Sequence, residues 1–164
     1  MADNKAIRKW SELQGMTVSV PREGRPIGTI VDFYFKKGTN AVHAFRVSTR
    51  VLGDFALPVQ SIQSIEANAV TTDTERRLLR ALPPLPSGRS LRERKIVGEN
   101  GTVAGTVGDI LIGIDPPVAM RIAGFEVAGS NGGRGRPKRF SAEAVVSYEE
   151  DAVVIDEQIA RRLR

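Results

Sequence analysis

His43 is the single histidine of the chain, and cysteine is absent. A zinc centre needs several imidazole or thiolate ligands, so no metal site is expected. A Ser-His-Asp set would have to use His43 as its base, and no nucleophile-elbow spacing stands near it. His43 therefore reads as a surface or interface histidine on a strand. Asp32 and Asp109 form a second candidate, since paired carboxylates can divide acid and base work. They occupy equivalent places in an internal repeat, so the simpler expectation is that each accepts backbone N–H bonds beside a hairpin. Glu149, Glu150 and Asp151 cluster near a turn without the ligand spacing of a calcium loop, and read as a solvated turn. Gly101-x-x-x-Gly105 lacks the Gly-Lys-Ser/Thr ending of a phosphate loop. The expectation is no catalytic residue, no cofactor and no metal, hence no enzyme.

The stretch with most chemical suggestion is basic. Gly132-Gly133-Arg134-Gly135-Arg136-Pro137-Lys138-Arg139 holds an Arg-Gly-Arg-Pro core. Extended Arg-Gly-Arg can enter a narrow minor groove, where negative potential draws guanidinium groups. Lys138 and Arg139 would add phosphate contacts. Arg134, Arg136, Lys138 and Arg139 are thus the candidate nucleic-acid residues, with RNA and DNA not separable. The competing reading is a hairpin tip with solubilising charges.

The chain has 164 residues, 41% hydrophobic and 26% charged, with a net charge of +5. That composition suits a soluble globular protein, and the positive sign favours acidic partners. No apolar run approaches the roughly 20 residues needed to cross a membrane. Met1-Ala2-Asp3-Asn4-Lys5 lacks the apolar stretch of a secretion signal. The expected location is the cytoplasm.

The elements that position these residues come in two copies. Residues 15–73 and 92–156 repeat one another. Gly24, Gly28, Thr29 and Asp32 recur as Gly101, Gly105, Thr106 and Asp109, while Phe45 and Val47 recur as Phe125 and Val127. Each copy must be one folding unit. The runs Thr17–Val20, Ile27–Phe35 and Val42–Thr49 are β-branched, aromatic or alternating, and predict strands. Phe55–Leu57, Ile65 and Ala69–Thr72 add short ones, with a turn or 3₁₀ piece over Pro58–Ile62. In the second copy Val103–Ile114 and Val118–Val127 form the long hairpin, with expanded turns at Asp115-Pro116-Pro117 and Gly129–Lys138. Short strands with frequent turns predict a small barrel or sandwich.

Asp73 and Asp156 are each expected to cap a short helix, over Thr74–Leu82 and Glu157–Arg164. Leu78, Leu79 and Leu82 would face the barrel. Pro83-Pro84-Leu85-Pro86 cannot continue a helix and predicts a stiff extended spacer. The expected organisation is a first unit over 10–82, a linker over 83–89 and a second unit over 90–164.

Leu13-Gln14-Gly15-Met16-Thr17-Val18, followed by Gly24-Arg25-Pro26-Ile27-Gly28-Thr29-Ile30-Val31-Asp32, resembles the opening of PRC-barrel domains. The second copy supplies Gly101 to Asp109, and in its lead-in Arg92 replaces the glycine. Gly24 and Gly101 suit a turn needing positive φ, and Gly28 and Gly105 suit a kink inside a strand. The resemblance implies an all-β protein, two tandem small PRC-type barrels each ending in a short α-helix. It also implies a non-catalytic adaptor, as in the cytoplasmic domain of the reaction-centre H subunit and the C-terminal domain of a ribosome-maturation factor. The expected function is a binding or scaffold module that docks onto a protein complex through barrel surfaces and loops. The alternative is an RNA or DNA binder using the Arg134 to Arg139 loop, and a homo-oligomer stays open.

Overall fold

The computed structural model describes residues 6–129 and 136–164. A short strand β1 (Ile7–Lys9) and one helical turn α1 (Trp10–Leu13) precede the first half. That half holds β2 (Thr17–Val20), β3 (Arg25–Phe35), β4 (Val42–Thr49), β5 (Gly53–Pro58), β6 (Ile62–Ile65) and β7 (Ala69–Thr72). The second half holds β8 (Lys95–Gly98), β9 (Val103–Gly113), β10 (Arg121–Val127), β11 (Arg139–Ser141), β12 (Val145–Tyr148) and β13 (Ala152–Ile155). Helix α2 (Glu157–Leu163) closes the chain.

The two sheets have one topology. The first runs β5-β4-β3-β2-β7-β6 and the second β11-β10-β9-β8-β13-β12. In each, a single parallel pairing, β2 with β7 or β8 with β13, joins two antiparallel runs. The fold is all-β with short helices.

The halves are cross-clasped. Strand β1 precedes the first half yet pairs with β9 of the second, Arg8 opposite Ile112. Reciprocally, the segment before the second half lies on β3 of the first, with Tyr34 bridged to Ser87. The N–H groups of Phe35 and Gly88 donate to the carbonyls of Pro86 and Phe33. Between the halves the Val42 N–H donates to the Met120 carbonyl and the Ile122 N–H to the Asn40 carbonyl, around the bridge Ala41–Arg121. These pairs exchange under the repeat, so the contact is self-complementary, like the isologous interface of a dimer. One continuous apolar core results, running from Trp10, Phe33 and Phe45 through Ile110, Phe125 and Tyr148.

Three sequence expectations change in detail. Thr74–Leu82 is not a helix: it makes one 3₁₀ turn, Glu75–Arg77, and then runs extended, with Leu79 bridged to Ala56 on β5. Leu79 is half exposed, whereas Leu78 and Leu82 are partly buried. The proline segment is no free spacer. It straps the outer face of the first sheet, where Leu82 and Leu85 cover Tyr34, Ala44 and Ala56. Finally, the residue matching Gly15 is Glu93 rather than Arg92. Val18 pairs with Gly28 and Ile96 with Gly105, and the second copy's first turn is one residue shorter. Both Gly15 (φ 89°) and Glu93 (φ 67°) are left-handed.

Helix α2 is held by a carboxylate latch. Glu157 accepts from the Asn100 N–H (2.9 Å), from the Thr102 hydroxyl and from Arg161 (2.9 Å). The hydrogen bond from Thr102, then those from Asn100 and Arg161, hold its carboxyl at about 2 against an ordinary 4.5. A depressed folded pKa stabilises above the unfolded value and is lost as pH falls through the folded one. Glu157→Gln is therefore expected to lower the melting temperature most at pH 7. The gap to the parent should narrow between about pH 4.5 and about 2. A gap constant across thermal scans in that window would contradict the latch.

Candidate binding groove

Strand β3 is long enough to serve two neighbours. Its N-terminal part pairs with β2, and from Thr29 onward it pairs with β4. Beyond the pair Thr29–Ser48, the β4–β5 hairpin leaves β3 and projects as an arm. Thr49 ties off its tip: its hydroxyl donates to the Gly53 carbonyl (2.6 Å) and accepts from the Leu52 N–H (3.1 Å). Gly53, at φ 84°, supplies the left-handed residue that the turn needs. The tip displays Val51, 86% exposed, and Leu52, 59% exposed. Aliphatic side chains so placed gain nothing from folding of this chain.

The parting of β3 and the arm leaves a groove. Its centre is a 480 Å³ cavity lined by Thr17, Ile27, Thr29, Ser48 and Arg50. At the tip end it continues into a 330 Å³ apolar cavity with Leu52, Phe55 and Leu78, rimmed by Arg25 and Glu75. At the other end Ser48 leads into a 210 Å³ polar cavity with Val31, Asp32, Arg46, Asp54 and Arg89. Arg46 is committed to Asp54 at 2.7 Å, and that hydrogen bond raises its pKa. Arg25 pairs with Glu23 and Glu75. Arg80 stacks over Phe55 at 5.1 Å and reaches the Leu52 carbonyl. The guanidinium groups of Arg50 and Arg89 make no ion pair among the described residues.

The repeat supplies an internal comparison. Gly108, Glu126 and Ala128 stand where the groove has Val31, Arg46 and Ser48. A Cβ at Gly108 would sit 3.0 Å from the Ala128 backbone, so the second half lets its strands approach there. Val31 carries the Cβ that such an approach excludes. Glu126 is buried beneath Arg139 (2.6 Å) and Lys9 (3.4 Å).

The motif aspartates do structural work across the halves. Asp32 Oδ1 accepts from the N–H of Phe33 (2.8 Å) and of Arg89 (2.9 Å). Asp109 accepts from the N–H of Ile110 (2.8 Å) and Ser11 (3.2 Å) and from the Ser11 hydroxyl (2.6 Å). Each thus fastens the lead-in of the opposite half. Gly24 (φ 61°) and Gly101 (φ 96°) sit in tight turns. Gly28 and Gly105 sit at close approaches, where a Cβ would meet Val47 or Val127 at under 3 Å.

Of the candidate nucleic-acid residues, Arg134 lies outside the described residues. Arg136 is exposed. Lys138 donates to the Leu163 carbonyl at 2.8 Å, and Arg139 serves Glu126. His43 is half-buried on β4. Among the described residues no three His, Asp or Glu side chains are grouped to hold a metal, and no helix is long and apolar enough to cross a membrane.

Sequence reasoning missed the groove. Its one linear signal is Val51-Leu52 beside Gly53-Asp54, two aliphatic residues where a turn favours polar ones. A family model for the PRC-barrel domain matches residues 7–79. No curated protein matches the chain.

Proposed function

From the PRC-barrel domain that this chain carries over residues 7–79, we infer a non-enzymatic scaffold module that docks onto a protein complex. The observation that carries this is the exposed apolar arm of the first half, Val51 and Leu52 above all, beside a groove walled in part by the half-buried Ile27. Exposed aliphatic surface of this kind is a mark of interaction sites. The cross-clasped halves supply the stiff body that such a docking surface needs. The cytoplasm is the proposed location, which a cysteine-free sequence permits. Nucleic-acid binding through the basic loop is the rival reading, and it keeps Arg136 as an exposed cation.

A tagged full-length chain, isolated from nuclease-treated cells, is expected to retain a defined set of proteins. Val51→Asp and Leu52→Asp should each lose that set at unchanged melting temperature, since both side chains stand exposed on the arm. Retention by both variants would overturn the docking surface. A set that disappears on nuclease treatment would favour the basic loop instead.

A further inference from the structure

We propose that the groove along β3 takes an extended, carboxylate-bearing segment of a protein partner, an assignment resting on the docking function inferred above. Its two ends differ in chemistry. Arg89 and Arg50 line it with no ion pair to their guanidinium groups among the described residues, and beyond Arg50 the wall turns apolar at Ile27, Phe55 and Leu78. Between the ends lie the hydroxyls of Thr29 and Ser48. Guanidinium forks select carboxylates, hydroxyls can serve a backbone, and the apolar end accepts an aliphatic or aromatic side chain. From Val31 to Ile27 is four residues of strand, or about 13 Å at roughly 3.3 Å per residue. An extended ligand covers that span with four or five residues.

Charge excludes the other polyanions. Asp32, Asp54 and Glu75 also line the groove, so a continuous run of phosphates would meet carboxylates at several points. Discrete acidic side chains placed at Arg89 and Arg50 avoid them. An anionic lipid surface suits a convex apolar tip, whereas this wall is concave and bears hydroxyls. The second half has lost these features, with Gly108, Glu126 and Ala128 in their places. The assignment is thus specific to one copy of the repeat.

The test pans a displayed library of random dodecapeptides on the full-length chain. The selected peptides are expected to carry aspartate or glutamate four to six positions from an aliphatic or aromatic residue. A fluorescent copy of one should bind at least tenfold more weakly to Arg50→Ala/Arg89→Ala, and to Leu52→Asp at the apolar end. Among the described residues neither arginine side chain makes a hydrogen bond or ion pair, and the bond from Arg89 to Asp32 comes from its backbone N–H. Selected peptides without acidic enrichment, or binding untouched by these variants, would overturn the proposal. So would a library without binders while phosphatidylserine vesicles bind through Leu52. If Leu52→Asp still abolishes the cellular complex in those cases, docking stands and only the acidic-segment assignment falls.

Discussion

Trp10→Ala is expected to lower the unfolding free energy by about 3–5 kcal/mol, and in a single transition that includes both halves. Trp10 is 1% exposed and lies at the crossing of the two units. The strand before it is paired to the second half, while its ring meets Phe33 edge-on at 4.9 Å and Phe45 at 6.3 Å in the first. Truncation leaves a cavity in the shared core, and the surrounding residues are held from both sides and cannot collapse into it. Urea unfolding followed by far-UV circular dichroism and by hydrogen exchange in each half checks this. One cooperative transition shifted to lower urea is expected. Two separate transitions, with only residues of the first half affected, would show that the halves fold independently.

The second large effect is expected at Gly88. Its φ of −63° and ψ of −37° suit any residue, so its requirement is spatial. A Cβ there would lie 2.0 Å from Phe33 Cε1. The ring cannot retreat, because Trp10 packs on its other contacts. Gly88→Ala is therefore expected to cost about 3 kcal/mol, at the upper end for overpacking. Trimming the obstacle with Phe33→Leu should make the double variant less unstable than the two changes summed, since contacting residues couple. Strict additivity in chemical denaturation would contradict the contact. Gly88 and Trp10 occupy matching places in the two lead-ins: Trp10 puts its ring into the centre, and Gly88 leaves the room that the Phe33 ring takes.

Much of the fold was legible because duplication writes each element twice. The strands over Thr17–Val20, Val42–Thr49 and Ala69–Thr72 carry their own β-branched pattern, and the second copy reinforces each. The failed helix shows where local pattern stops deciding. Asp73-Thr74-Glu75 looks like Asp156-Glu157-Gln158, yet only the second grows into a helix. The helix α2 lies on Gly98, where a Cβ would meet Ala160 at 2.9 Å, and is latched through Glu157. The first copy has Val20 in the place of Gly98 and Thr74 in that of Glu157. A short helix depends on tertiary packing. Without a docking face the chain takes the edge of β5 instead.

The site was less legible, for a different reason. Asp32 and Asp109 are plain in the sequence, but their partners Arg89 and Ser11 are 57 and 98 residues away. Only the cross-clasp brings them together. The groove depends on where the arm leaves β3 and on Val31 standing where the other copy has glycine. Neither is a motif. The basic stretch was conspicuous as text, yet opposite Arg139 the pairing places Glu126, which takes up its charge.

The most direct measurement compares the two copies at one equivalent position. A photoreactive benzoylphenylalanine is placed at Ser48, in the groove, and separately at Ala128, its counterpart, and the full chain is irradiated in cells. A docking scaffold predicts a discrete, nuclease-resistant protein adduct from Ser48 and none from Ala128. Equal adducts from both positions, a nucleic-acid adduct, or no protein adduct from Ser48 would contradict it.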